Sequence, residues 1–199
     1  MPKKTPLSSV ETDIAKRRKA QVLDAAIECF RSRGFHQASM SQISAAAGMS
    51  SGHIYHYFKS KEDIVAGIVE RGQEELSLPI AQAKKMPAGT DVASIFVAAV
   101  DEAVALHKDI SFAALTMEIL AEAGRNPKIA DIVQRNSASL HEDLLDLFED
   151  KSHKNRARLE ICAALMEGIS VRALRNPRLD ADLDLDMLRD TMRHVLSST

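Results

Sequence analysis

SMSQISAAAGMSSGHIYHYFKSK, residues 39–61, is the stretch that decides how this 199-residue chain folds. Ser39-Met40-Ser41-Gln42 has the form of a capping box. The Ser39 hydroxyl can accept from the Gln42 amide while the Gln42 side chain reaches back to the Ser39 amide. That predicts a short helix ending at Ala47, with Gly48 making the turn. Ser50 has the chemistry to cap a further short helix over about 51–57. Ile43, Ala46 and Ala47 on the first helix, with Ile54 and Phe58 on the second, supply a small apolar core. Two such helices around a glycine predict a helix-turn-helix, whose second helix enters the major groove while the first crosses the DNA backbone. The groove is about 12 Å wide, so a helix fits only if its leading residues are slender. Ser50, Ser51 and Gly52 are. Free amides and the positive end of the helix dipole at that start favour phosphate.

The rest of the chain reads as helical, with no convincing alternation of period two. Upstream, Leu23, Ala26, Ile27 and Phe30 mark one face of a helix over about 13–33, and Gly34 stands where a helix end favours a left-handed residue. Downstream, Ser60 opens a long fourth helix, which Pro79 is expected to end or kink. Five more helices follow, over about 91–107, 110–123, 127–150, 153–175 and 184–197. Asn126 and Pro127 mark the start of the third of these. The expected class is therefore all-α, with about nine helices.

Composition narrows the function. Apolar residues make up 45% and charged residues 27%, with no apolar run long enough to span a membrane. The basic start MPKKTPLSSVETD has no apolar stretch behind it and reads as a disordered arm over 1–12 rather than a secretory signal. Cys29 and Cys162 lie in apolar helical patterns without metal-ligand spacing, as reduced thiols of a cytoplasmic protein do. The net charge of −2 conceals an asymmetry: residues 1–61 hold ten Lys/Arg against four Asp/Glu, a balance of +6, which leaves −8 for the remainder. A basic end on an acidic body suggests a polyanionic partner for the first third.

Both tyrosines of the chain, Tyr55 and Tyr57, fall in the expected groove helix with His53 and His56. No carboxylate or thiol joins the two histidines, so no metal and no cofactor are expected. Asp180, Asp182, Asp184 and Asp186 resemble a calcium loop at first sight. The sixth and twelfth positions, Leu185 and Thr191, are wrong for one, and the acids read better as caps of the last helix. Nucleophile elbow, phosphate-binding glycine loop and zinc motif are all missing, so no enzyme is expected.

The stretch closely resembles the DNA-binding domain of the TetR (tetracycline-repressor) family. The resemblance rests on Ser39, Ile43, Ala47-Gly48-Met49-Ser50, Gly52, Tyr55, Tyr57-Phe58 and Lys61-Glu62, and on VLDAAIECFRSRGF upstream; it covers about residues 16–68. Ser44 and Met49 are mild departures from the usual Ala and Val, and Tyr57 replaces a commoner His. The resemblance implies a helix-turn-helix domain over 13–60 and a helical effector-binding and dimerisation domain over 61–199. It implies phosphate bonds from Ser39, Ser50 and Lys61, groove contacts from Ser51, Gly52, His53 and His56, and a phosphate or thymine-methyl contact from Tyr55. Tyr57 would touch phosphate. The run Lys16, Arg17, Arg18, Lys19 is placed on the flanking backbone or in the minor groove by its charge alone.

For the C-terminal two thirds, the resemblance implies a homodimer formed by the last two long helices, with Leu165, Ile169, Leu188, Met192 and Val195 as candidate interface residues. Two recognition helices would then read a near-palindromic operator in double-stranded DNA. It also implies a small-molecule effector held among the middle helices, with Phe96, His107, Phe112, Met117, Glu118 and Met166 as candidates. The function expected is a repressor released by its effector. The alternative is a helical interaction module that has lost DNA binding.

Overall fold

The computed structural model describes residues 7–87 and 90–197, and within them the side chains of all but 7–12 and 76–78. Every regular element among the described residues is a helix. α1 (Leu7–Gln37), α2 (Met40–Ala46), α3 (Ser51–Tyr57) and the start of α4 (Lys61–Ala83) make the first layer. α5 (Val92–Ala98), α6 (Val100–Lys108), α7 (Ile110–Ala123), α8 (Pro127–Leu145), α9 (His153–Arg175), α10 (Leu179–Asp182) and α11 (Leu185–Ser197) build the body.

Five differences from the sequence expectation have local causes. Helix α1 starts at Leu7, so residues 7–12 of the expected arm are helical, while 1–6 lie outside the described residues. Proline 79 does not end α4, which runs on to Ala83. Losing one donor is tolerated there because both flanks are tied to α8: Gln73 donates to Ser139, and the Lys84 ammonium reaches Asp143 and Asp146 at 3.0 Å each. The helix expected over 91–107 is divided at Ala99, whose amide turns to the Phe96 carbonyl in a tighter bond. α8 stops at Leu145, short of the expected 150, and Asp150 instead accepts from the Ser152 amide ahead of α9. A single-turn helix, α10, precedes α11, bringing the described helices to eleven. Asp184 caps α11 through the Asp186 and Met187 amides, and Asp180 pairs with Lys108.

Two apolar clusters hold these helices. The first joins Val22, Ala26 and Phe30 of α1, Ile43 of α2, Ile54 of α3 and Ile64, Val65 and Ile68 of α4. Ile129 of α8 belongs to the same cluster, and Leu115, Ile119, Ile132 and Val133 pack on its edge. The second lies within the body: Ala93, Val100 and Val104 meet Cys162, Met166 and Ile169 of α9 and Met192 and Leu196 of α11. Burial raises both thiols, Cys162 to about 11. Both should resist a thiol reagent at neutral pH until the protein unfolds; fast labelling of Cys162 in the native state would contradict this packing. Ile129→Ala should cost about 2–5 kcal/mol in urea unfolding, because it opens a cavity in the cluster shared by both parts of the chain.

Candidate nucleic-acid interface

The helix-turn-helix is built from its caps outward. Ser39 Oγ accepts from the Gln42 amide at 3.2 Å, and the Ser39 amide donates to Gln42 Oε1 at 2.9 Å, completing the capping box. Gly48 takes φ +62 in the turn, a left-handed conformation that side chains with a Cβ rarely adopt. The Gln21 side-chain amide donates to the Ala47 carbonyl at 2.7 Å, tying α1 to that turn. Ser50 caps α3 by accepting from the His53 amide. At the other end of α3 the Lys59 ammonium donates to the Tyr55 carbonyl at 2.7 Å.

α3 is held by one face and open on the other. Ile54 and Phe58 are buried, whereas Ser50, Ser51, Gly52, His53, Tyr55 and His56 are exposed. At 45% exposure, Tyr55 is a large ring left partly in water. Tyr57 is different. It packs half-buried against the first cluster, with the His53 ring centroid 5.3 Å away and that of His56 5.1 Å away. Lys16, Arg17, Arg18 and Lys19 are exposed on α1, and Arg18 donates to Gln21, the residue bonded to the turn. The basic run thus lies one helical turn from the α2–α3 corner.

The Lys61 ammonium is bonded within the protein. It donates to the Phe35 carbonyl at 2.5 Å and to that of His36 at 3.4 Å, and sits 4.3 Å from the Phe35 ring centroid. Burial pulls its pKa below the ordinary lysine range, against the opposing pull of Glu62 and Glu122. Lys61 therefore closes the end of α1.

The effector candidates sit in several local packings. His107 Nδ1 lies 2.8 Å from Ser170 Oγ, with the Phe112 ring edge-on at 5.4 Å, and burial lowers the histidine's pKa. Met166 is plain core, Met117 is half-buried, and Phe96 faces Phe148. Glu118 points away from all of them, accepting from the Phe35 amide at 2.6 Å. An open groove of about 370 Å³ lies between α4 and α8, lined by Glu70, Gln73, Glu74, Ile80, Lys84, Leu140 and Asp143. Nothing in the sequence distinguished those residues from solvated helix faces.

Two candidate interface residues also turn inward: Ile169 and Met192 are buried in the second cluster, with Leu165, Leu188 and Val195 half-buried against it. The outward face of α9 carries Ala157, Ile161 and Ala164, with Gly168 half-exposed, spaced i, i+4, i+7, i+11. No helix among the described residues is long and apolar enough to cross a membrane, and no group of three His, Cys, Asp or Glu is placed to hold a metal.

A capped helix-turn-helix with a polar, exposed second helix and a basic flank on a helical body defines a DNA-binding regulator. Residues 22–68 match the family described as bacterial regulatory proteins, tetR family, and residues 96–197 match the C-terminal domain of BetI-type transcriptional repressors. The chain is 28% identical over 159 residues to the HTH-type transcriptional regulator UidR of Escherichia coli K12, covering 80% of this chain and 78% of that one. It is 25% identical over 189 residues to the HTH-type transcriptional regulator BetI of Escherichia coli O45:K1, covering 90% and 92%. Among solved structures, Salmonella enterica GusR shares the fold at a TM-score of 0.69, with 24% identity over 90% of this chain and 95% of that one. FadR of Bacillus subtilis, solved with stearoyl-CoA, shares it at 0.63, with 20% identity over 90% and 98%. The chain belongs to the TetR family of bacterial transcriptional regulators.

Two substitutions test this geometry. Ser39→Ala should cost about 1 kcal/mol through loss of the cap, read by chemical denaturation. Lys61→Ala should lower the melting temperature while leaving the salt dependence of DNA binding unchanged. A shallower salt slope with unchanged stability would return Lys61 to the phosphate backbone.

Proposed function

We propose that the protein is a homodimeric repressor that reads a near-palindromic operator through α3 and leaves it when a small molecule binds the body. The observation that carries the DNA half is the face of α3. Ser51, Gly52, His53, Tyr55 and His56 are presented to solvent by a helix whose other face is locked by Ile54 and Phe58. Slender residues lead, so the helix start approaches the groove floor. Tyr55 and His56 stand on a later turn, within reach of base edges and phosphates. Phosphate contacts from Ser39, Ser50, Tyr57 and the basic run on α1 would set register, and the groove-facing side chains would choose sequence. The protein's work is binding rather than catalysis, in the cytoplasm where the chromosome lies.

The dimer half is supported by α9. Ile161 is half exposed, and Ala157, Ala164 and Gly168 beside it are small enough for a second helix to come close; Met187 of α11 is exposed by 68%. Water against this apolar stripe is unfavourable, and a second copy would remove it. The effector reading draws on FadR, which was solved with stearoyl-CoA. In this chain the groove between α4 and α8 is one concave surface of sufficient size. A ligand that prefers one dimer geometry would shift operator affinity by about 1–3 kcal/mol.

Selection of duplexes from a random library, followed by gel shifts across salt concentrations, should recover a near-palindrome and a steep salt dependence. Arg17→Ala should weaken binding to every duplex alike and reduce that slope by about 1. Failure of the folded protein to enrich any sequence would favour a helical interaction module that no longer binds DNA. Sedimentation should give a dimer, and Ile161→Asp a monomer; a monomeric wild-type protein would remove the two-helix reading of the operator.

A further inference from the structure

The last turn of α1 cannot satisfy its own backbone. At Gly34 the chain swings to φ +76, ψ 161, which breaks the helical ladder three residues before Gln37. The Phe35 amide beyond the break is served from elsewhere: it donates to Glu118 Oε1 of α7 at 2.6 Å. The carbonyls of Phe35 and His36 take the Lys61 ammonium of α4. One turn further along α7, the nearly fully buried Glu122 carboxylate lies 3.0 Å from His36 Nε2 and 2.8 Å from Arg125 Nε. Residues 35–38 lead directly into Ser39, the cap of α2. The fit is close, since a Cβ at Gly34 would stand 3.1 Å from Glu118 Oε1.

We infer that Glu118 and Glu122 are positioning residues: a carboxylate clasp by which α7 holds the α1–α2 corner and so fixes how the helix-turn-helix sits on the body. Beside the shared apolar cluster, the Lys61 ammonium of the continuous helix α4 and this clasp both join the parts, and they meet at the same two residues, Phe35 and His36. Sliding or rotating α7 by a fraction of a turn withdraws the acceptor from the Phe35 amide, which frees the corner carrying α2 and α3. The clasp deepens the reading that the body governs DNA binding, and its regulatory meaning rests on that reading.

The test uses full-length protein with and without DNA. Ala46→Cys on α2 and Ala121→Cys on α7 are spin-labelled in spin-diluted protein, with Cys29 and Cys162 shielded by burial. Glu118→Ala should broaden the distance distribution between the labels and speed amide exchange of Phe35 through Ser39 at least tenfold. It should also weaken binding of the selected duplex at least fivefold per folded molecule. Glu118→Gln keeps an acceptor for the Phe35 amide and should stay within twofold of wild type. Glu118→Asp, one methylene too short, should behave like the alanine variant, and it decides the matter if the alanine protein does not fold. A wild-type distance distribution in a folded Ala or Asp variant overturns the clasp. The distance and exchange measurements need no DNA, so a protein that bound no duplex would sink the regulator reading while these two still judged the clasp.

Discussion

The architecture depends on one apolar cluster that neither part of the chain completes alone. A helix-turn-helix of some fifty residues has little interior of its own, and domains of that size are marginal because so much of their surface stays wet. Here Val22, Ala26, Phe30, Ile43, Ile54, Ile64 and Val65 form a core that Ile129 of α8 enters and that Leu115, Ile119 and Val133 cover. Helices α7 and α8 thus supply the missing side of the small domain. Because Ile54, Tyr57 and Phe58 hold the inner side of α3, Ser51, Gly52, His53, Tyr55 and His56 are exposed and available to a partner.

Polar groups follow the same division of labour. At the outer end, the Ser39 box, the Ser50 cap and the Lys59 bond to Tyr55 spend local side chains on local backbone, leaving a rigid pair of short helices. At the inner end, where α1 breaks at Gly34, local groups do not suffice, and Glu118, Glu122 and Lys61 come in from α7 and α4. Charge is sorted accordingly. The basic run Lys16–Lys19 of α1 is exposed, while Lys61 is bonded to the Phe35 carbonyl.

The outer end was legible in the sequence because its causes are local. A capping box, a glycine at positive φ and apolar residues three and four apart each leave a signature within a few positions. The bond from Lys61 to the Phe35 carbonyl was not legible, because a lysine that opens a helix shows nothing in sequence of a partner 26 positions away. Glu118 was placed in a pocket for the same reason: its partner lies 83 positions away. Pro79 was expected to end or kink α4, yet the helix passes through it, since packing and the Lys84 pairs outweigh one lost bond. Ile169 and Met192 carry the apolar character an interface wants, but an amphipathic helix does not say which neighbour its apolar face meets. The small residues Ala157, Ala164 and Gly168, which the sequence reading passed over, mark the outward side.

The shared cluster also bears on how such a protein can be rebuilt or can diverge. A recognition module cut from this chain at the start of α4 and grafted onto another regulator's body would lose the side chains of α7 and α8 that fill it, and would inherit a strange surface in their place. Successful exchange would have to carry Leu115, Ile119, Ile129 and Val133 along with the first sixty-odd residues, or find their match in the host. Drift on one side of the seam must be answered on the other, so operator preference can change freely on the solvent side of α3 while its supporting underside is inherited together with the body.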